Sequence, residues 1–94
     1  MAMQRVFRVV GTVHSTLGFD EWVAEFDEWW VGASNEHYAR IIGMNIAESH
    51  FRQRNRVNGK VPDISEIRVT RIIDLGTYDY EPKEATDDPD LASL

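Results

Sequence analysis

The three histidines, His14, His37 and His50, are the side chains of this sequence best suited to acid-base or metal chemistry near neutral pH. No two stand four residues apart, the spacing that puts both on one helical face as in H-E-x-x-H. Glu36-His37 and Glu48-x-His50 are too common in short chains to define a site. Ser15 follows His14, but a nucleophilic serine needs a sharp turn, a base and an oxyanion site, and no such motif surrounds it. Gly59-Lys60 lacks the preceding glycine spacing of a phosphate-binding loop. With no cysteine, thiolate nucleophiles, disulfides and cysteine metal ligands are excluded together. The expectation is a non-enzymatic protein with no metal and no cofactor.

Binding chemistry is more visible. Residues 19–30 read FDEWVAEFDEWW, in which phenylalanine recurs at 19 and 26 and Asp-Glu-Trp at 20–22 and 27–29. Read as a helix near 19–31, this segment gathers Phe19, Trp22, Val23, Phe26, Trp29 and Trp30 into a stripe roughly 120° wide, with carboxylates in the remaining arc. The seven-residue spacing stacks Trp22 and Trp29 along one edge of that stripe. The whole stripe could serve as core. A small domain has little room for three tryptophans, each needing about 150 to 250 Å² of cover, so the sharper reading leaves Trp22 and Trp29 at the surface. Exposed tryptophan beside charge has the composition of a protein-binding hot spot. The candidate partner-binding set is therefore Trp22 and Trp29 with Glu21, Glu25, Asp27 and Glu28, facing another protein with a basic or mixed surface.

A second charged segment follows. Arg52, Arg54, Arg56 and Lys60 supply four of the ten cationic residues within nine positions. In an extended chain Arg52, Arg54 and Arg56 would share one side and could touch phosphate. Without an aromatic platform or a recognition helix, the simpler reading is a charged loop facing its own acidic segment or that of a partner. The net charge of -6 also opposes general affinity for nucleic acid or anionic membranes.

These residues need elements to hold them, and a chain of 94 residues supports one domain with a modest core. VFRVVGTVHS at 6–15 is rich in β-branched residues and places Phe7, Val9, Gly11 and Val13 on one face and Arg8, Thr12 and His14 on the other, which predicts a strand. SEIRVTRIIDLGT at 65–77 predicts a second strand, with Ile67, Val69, Ile73 and Leu75 on one face, able to pair with the first. The segment between is ambiguous. Tyr38, Ile41, Ile42 and Ile46 suit the face of a second helix near 35–50, capped by Ser34 and supported by Glu48 and Arg52 at i,i+4, whereas Ile42, Met44 and Ile46 alternate as in a strand. Asn58-Gly59 marks a turn and Pro62 a break. Two strands make a marginal sheet, so a third is expected between 38 and 61, or else a second copy completes the sheet as a homodimer. The fold class is α+β, with one compact domain over 1–80 and an acidic, disordered tail over 81–94.

No apolar run approaches the roughly 20 residues that span a bilayer, and no signal peptide is recognisable, so a cytoplasmic address is the default. FRVVGTVHSTLGFDEWVAEFDEWW, in an arginine-rich and lysine-poor chain, resembles the small accessory proteins of bacteriophages that infect actinobacteria. That resemblance covers residues 7–30. It implies an early-expressed, non-virion protein that binds and perturbs a host factor in the host cytoplasm. The functions to be tested are thus a protein-binding module, a structural homo-oligomer burying the same aromatic edge, and, less favoured, a nucleic-acid binder using the 52–60 segment.

Overall fold

The computed structural model describes residues 3–56 and 58–79, and the 81–94 segment lies outside them. It contains β1 (Met3–Leu17), β2 (Asp20–Gly32), α1 (Glu36–Arg54) and β3 (Asp63–Asp79). The strands form an antiparallel sheet in the order β2-β1-β3, with α1 across one face. The α+β class holds, as do the strands expected at 6–15 and 65–77, which lie inside β1 and β3 and pair with each other.

Residues 20–32 form a strand, and this overturns the helix expected over 19–31. Leu17 pairs with Asp20 around a two-residue loop, Gly18-Phe19, in which Gly18 has φ 67. Glycine at the first central position is the type II′ hairpin pattern, whose twist matches that of the flanking strands. The third strand therefore comes from the aromatic and acidic segment and not from 38–61, and the sheet is three-stranded within one chain.

The helix α1 begins one residue later than expected. Asn35, not Ser34, is its N-cap, and the Asn35 side chain accepts a hydrogen bond from the Tyr38 amide. Its buried face is also different. Ala39, Gly43, Ala47 and Phe51 turn inward, while Tyr38, Ile41 and Ile42 remain exposed and Ile46 is half-buried. The reason is steric. A Cβ on Gly43 would stand 2.7 Å from the Val9 side chain, so the helix lies closer to β1 than any larger residue would allow.

The core is built on the helix-covered face from Phe7, Val9 and Val13 of β1, Phe26 and Val31 of β2, and the inward face of α1. From β3, Ile64, Ile67, Val69 and Ile72 pack against it. The expected face of β3 is corrected here, because Ile73 pairs beside Arg8 on the opposite side. Gly11 pairs with Val69 but Val10 pairs with Arg71, so Thr70 is an extra residue. Such a bulge inverts the alternation beyond it.

Nineteen helical residues span about 28 Å, whereas the 15 residues of β1 span about 50 Å. The molecule extends 48 × 28 × 14 Å. The β1–β2 hairpin tip thus overhangs the helix, and among the described residues the other sheet face carries no helix.

Candidate functional site

Because β2 is a strand, successive side chains alternate between faces. Pairing of Val9 with Glu28, Gly11 with Phe26, Val13 with Ala24 and Ser15 with Trp22 puts those β2 residues on the helix side. Glu21, Val23, Glu25, Asp27 and Trp29 take the other side. Trp22 and Trp29 are seven residues apart, an odd number, so the strand sends them to opposite faces where a helix would have stacked them. Both remain accessible, at 38% and 51%. The expected partner-binding residues are thus divided between two surfaces.

On the helix-free face, Arg8 makes a bidentate ion pair with Asp27, Nε to Oδ1 at 2.8 Å and Nη2 to Oδ2 at 2.5 Å. Its guanidinium also lies 4.1 Å from the centre of the Trp29 ring. The hydrogen bonds from Arg8, aided by its positive charge, hold the Asp27 carboxyl below the usual aspartate range. The same bonds raise the Arg8 pKa above its ordinary value. Arg8 was legible in the sequence only as an outward residue of β1.

Beyond Trp29 the strand pairing shifts, with Val9 opposite Glu28 but Phe7 opposite Val31. Trp30 sits in this bulge with φ 59. Its ring meets Tyr78 edge-on at 5.0 Å, joining the two outer strands across β1. Between them Val6 is fully buried although no helix covers that face, and its neighbours on both sides are Gly32 and Gly76. Glycines leave room for large rings to close over the strand between them.

On the helix side, an open groove of about 470 Å³ runs between β2 and the C-terminal half of α1. Val13, Ala24, Phe26, Ala47 and Phe51 form its apolar floor, and Glu28, His50, Arg54 and Asn55 its polar rim. Glu28 and His50 meet across it, Oε2 to Nδ1 at 3.1 Å. Trp22 lies two residues from Ala24 on the same face of β2.

The basic segment does not form the extended row considered for it. Arg52 and Arg54 belong to the last helical turn, about 200° apart around its axis, and only Arg56 lies beyond the helix. Arg52 is bound to Glu48 at i,i+4. Arg54 shares the groove rim with Glu28, so part of the basic segment faces the chain's own acidic strand.

The remaining titratable groups do not converge. His14 and Ser15 point to opposite faces of β1, and the His14 ring shares a hydrogen bond with the Thr12 hydroxyl at 2.9 Å. Ser15 is buried, its hydroxyl 3.5 Å from the Trp22 carbonyl oxygen. His37 stacks edge-on with Tyr38. Among the described residues no group of three histidine or carboxylate side chains could hold a metal ion. No described helix is long and apolar enough to cross a membrane. In comparisons with known proteins, the chain matches no family model, no curated protein and no solved structure.

Proposed function

We propose that the chain is a non-enzymatic protein-binding module whose docking element is β2. One observation carries this reading: β2 is an outer strand of the sheet and presents a half-exposed tryptophan on each face, Trp22 beside the groove and Trp29 beneath Arg8. Tryptophan and arginine dominate interface hot spots because they offer large rigid area with polar handles. The Arg8–Asp27 pair holds the Trp29 platform in place before a partner arrives, which lowers the ordering cost of binding. The resemblance to actinobacterial phage accessory proteins extends the proposal to modulation of a host protein.

The test is affinity capture from an actinobacterial lysate with wild type, Trp22→Ala and Trp29→Ala, each checked for native circular dichroism. Loss of a captured protein by folded variants supports the reading. Retention of every captured protein by both refutes it. A homodimer using the same strand is the second reading, favoured by the uncovered sheet face. Light scattering separates the two, since a wild-type dimer that becomes monomeric in Trp29→Ala would replace the first reading with the second.

A further inference from the structure

Resting on the assignment of β2 as the docking element, we infer that it receives an extended, basic segment of the partner as a fourth strand. Both outer strands present unpaired backbone groups, but they differ. The pairing of β3 with β1 is broken by register shifts at three places, each of which disturbs the edge. From Asp20 to Glu28, β2 pairs with β1 without a shift, leaving nine residues of regular edge. That stretch holds no proline, lysine or arginine, the residues that commonly guard an edge against strand addition.

Charge and shape define the occupant. β2 carries five carboxylates and no cation. Asp27 is occupied by Arg8 and Glu28 by His50, whereas Asp20, Glu21 and Glu25 have no cationic partner among the described residues. Glu21 and Glu25 point to the helix-free side, and Trp22, Ala24 and Phe26 point to the groove side. An added strand also alternates, so a segment of alternating basic and apolar residues sets its cations against Glu21 and Glu25 and its apolar side chains over the groove floor. A second copy of β2 would bring like charges together. The chain's own 81–94 segment, with five carboxylates and one lysine, has the same sign as the edge.

The test titrates the isotope-labelled protein with a capped peptide of seven alternating lysines and valines and follows backbone amide resonances. The expected result is a set of shifts confined to Asp20–Glu28 and the groove residues. Affinity should fall about two- to thirtyfold in the Glu21→Gln plus Glu25→Gln variant, as expected for two exposed ion pairs. A peptide N-methylated on the amides of one edge should bind no more tightly than the variant does. Shifts centred on β3 or α1, equal affinity for a glutamate-valine peptide, or indifference to N-methylation would overturn the inference. If the peptide fails while Trp22→Ala or Trp29→Ala still loses a captured protein, the strand-addition mode falls and the binding reading stands. If neither tryptophan variant loses a partner, the binding reading itself falls.

Discussion

Arg8 stacks over Trp29 while its guanidinium grips Asp27 two residues earlier on the same strand, so one cation ties together an aromatic ring and a carboxylate on the face that the helix leaves bare. Neither partner is removed from water, and the contribution to stability is correspondingly small. The value of the contact lies in order. It gives Trp29 one orientation at the surface, so Arg8→Ala should make Trp29 mobile, read as lower fluorescence anisotropy, while the unfolding midpoint changes little.

The same pair makes stability depend on pH. Arg8 holds the folded-state pKa of Asp27 below its unfolded value, chiefly through hydrogen bonds. Arg5 and the Gly76 amide do so for Asp74, and Arg68 does so for Glu66. A depressed carboxyl contributes stability above its unfolded pKa and loses it as the pH falls through the folded value. The Asp27→Asn plus Asp74→Asn variant should therefore unfold at lower urea than wild type at pH 7. That gap should close as the pH drops below about 4. A gap unchanged at low pH would show that the asparagines act through packing and not through charge.

Gly43→Ala should destabilise, against the usual gain from alanine in a helix. The new methyl meets Val9 at 2.7 Å, and overpacking of this kind costs about 1 to 3 kcal/mol. Chemical denaturation measures it, and partial recovery in Gly43→Ala plus Val9→Ala would identify Val9 as the obstacle.

At Trp30 the expected order of substitutions is reversed. Glycine in a strand is normally worse than alanine, but Trp30 has φ 59, where a Cβ costs about 1 to 2 kcal/mol. Trp30→Gly and Trp30→Ala both lose the Tyr78 contact, so Trp30→Gly should be the more stable of the two. Thermal unfolding of the pair decides it.

Asn35→Ala removes the side-chain acceptor for the Tyr38 amide and should cost about 1 kcal/mol, with the loss concentrated at the start of α1 in hydrogen exchange. Ser34→Ala should be close to neutral.

The elements legible in the sequence are those whose signal is local. Alternation of Phe7, Val9 and Val13 against Arg8, Thr12 and His14 marks β1 because one face is buried under the helix and the other is not. Asn58-Gly59 marks its turn by backbone preference alone, and both residues have positive φ, 51 and 77. β2 gives no such signal. Its helix face includes Glu28, stabilised by His50 from 22 residues away, and its open face keeps Val23 and Trp29, so polar and apolar residues do not alternate. Its heptad repeat fits a helix equally well. The helix α1 also misleads, since its largest apolar residues face outward and its inward face is a row of small ones.

Composition and spacing alone therefore determined an α+β chain with an acidic, aromatic segment at 19–30 and no recognisable catalytic motif. Tertiary structure decided what that segment is. Pairing with β1 satisfies the backbone groups on one edge of the strand, and the Gly18-Phe19 turn sets the register. Once the period is two instead of 3.6, the seven-residue repeat no longer stacks Trp22 on Trp29 but sends them to opposite faces. The heptad pattern of residues 19–30 does not contain that information, because it resides in their pairing with β1.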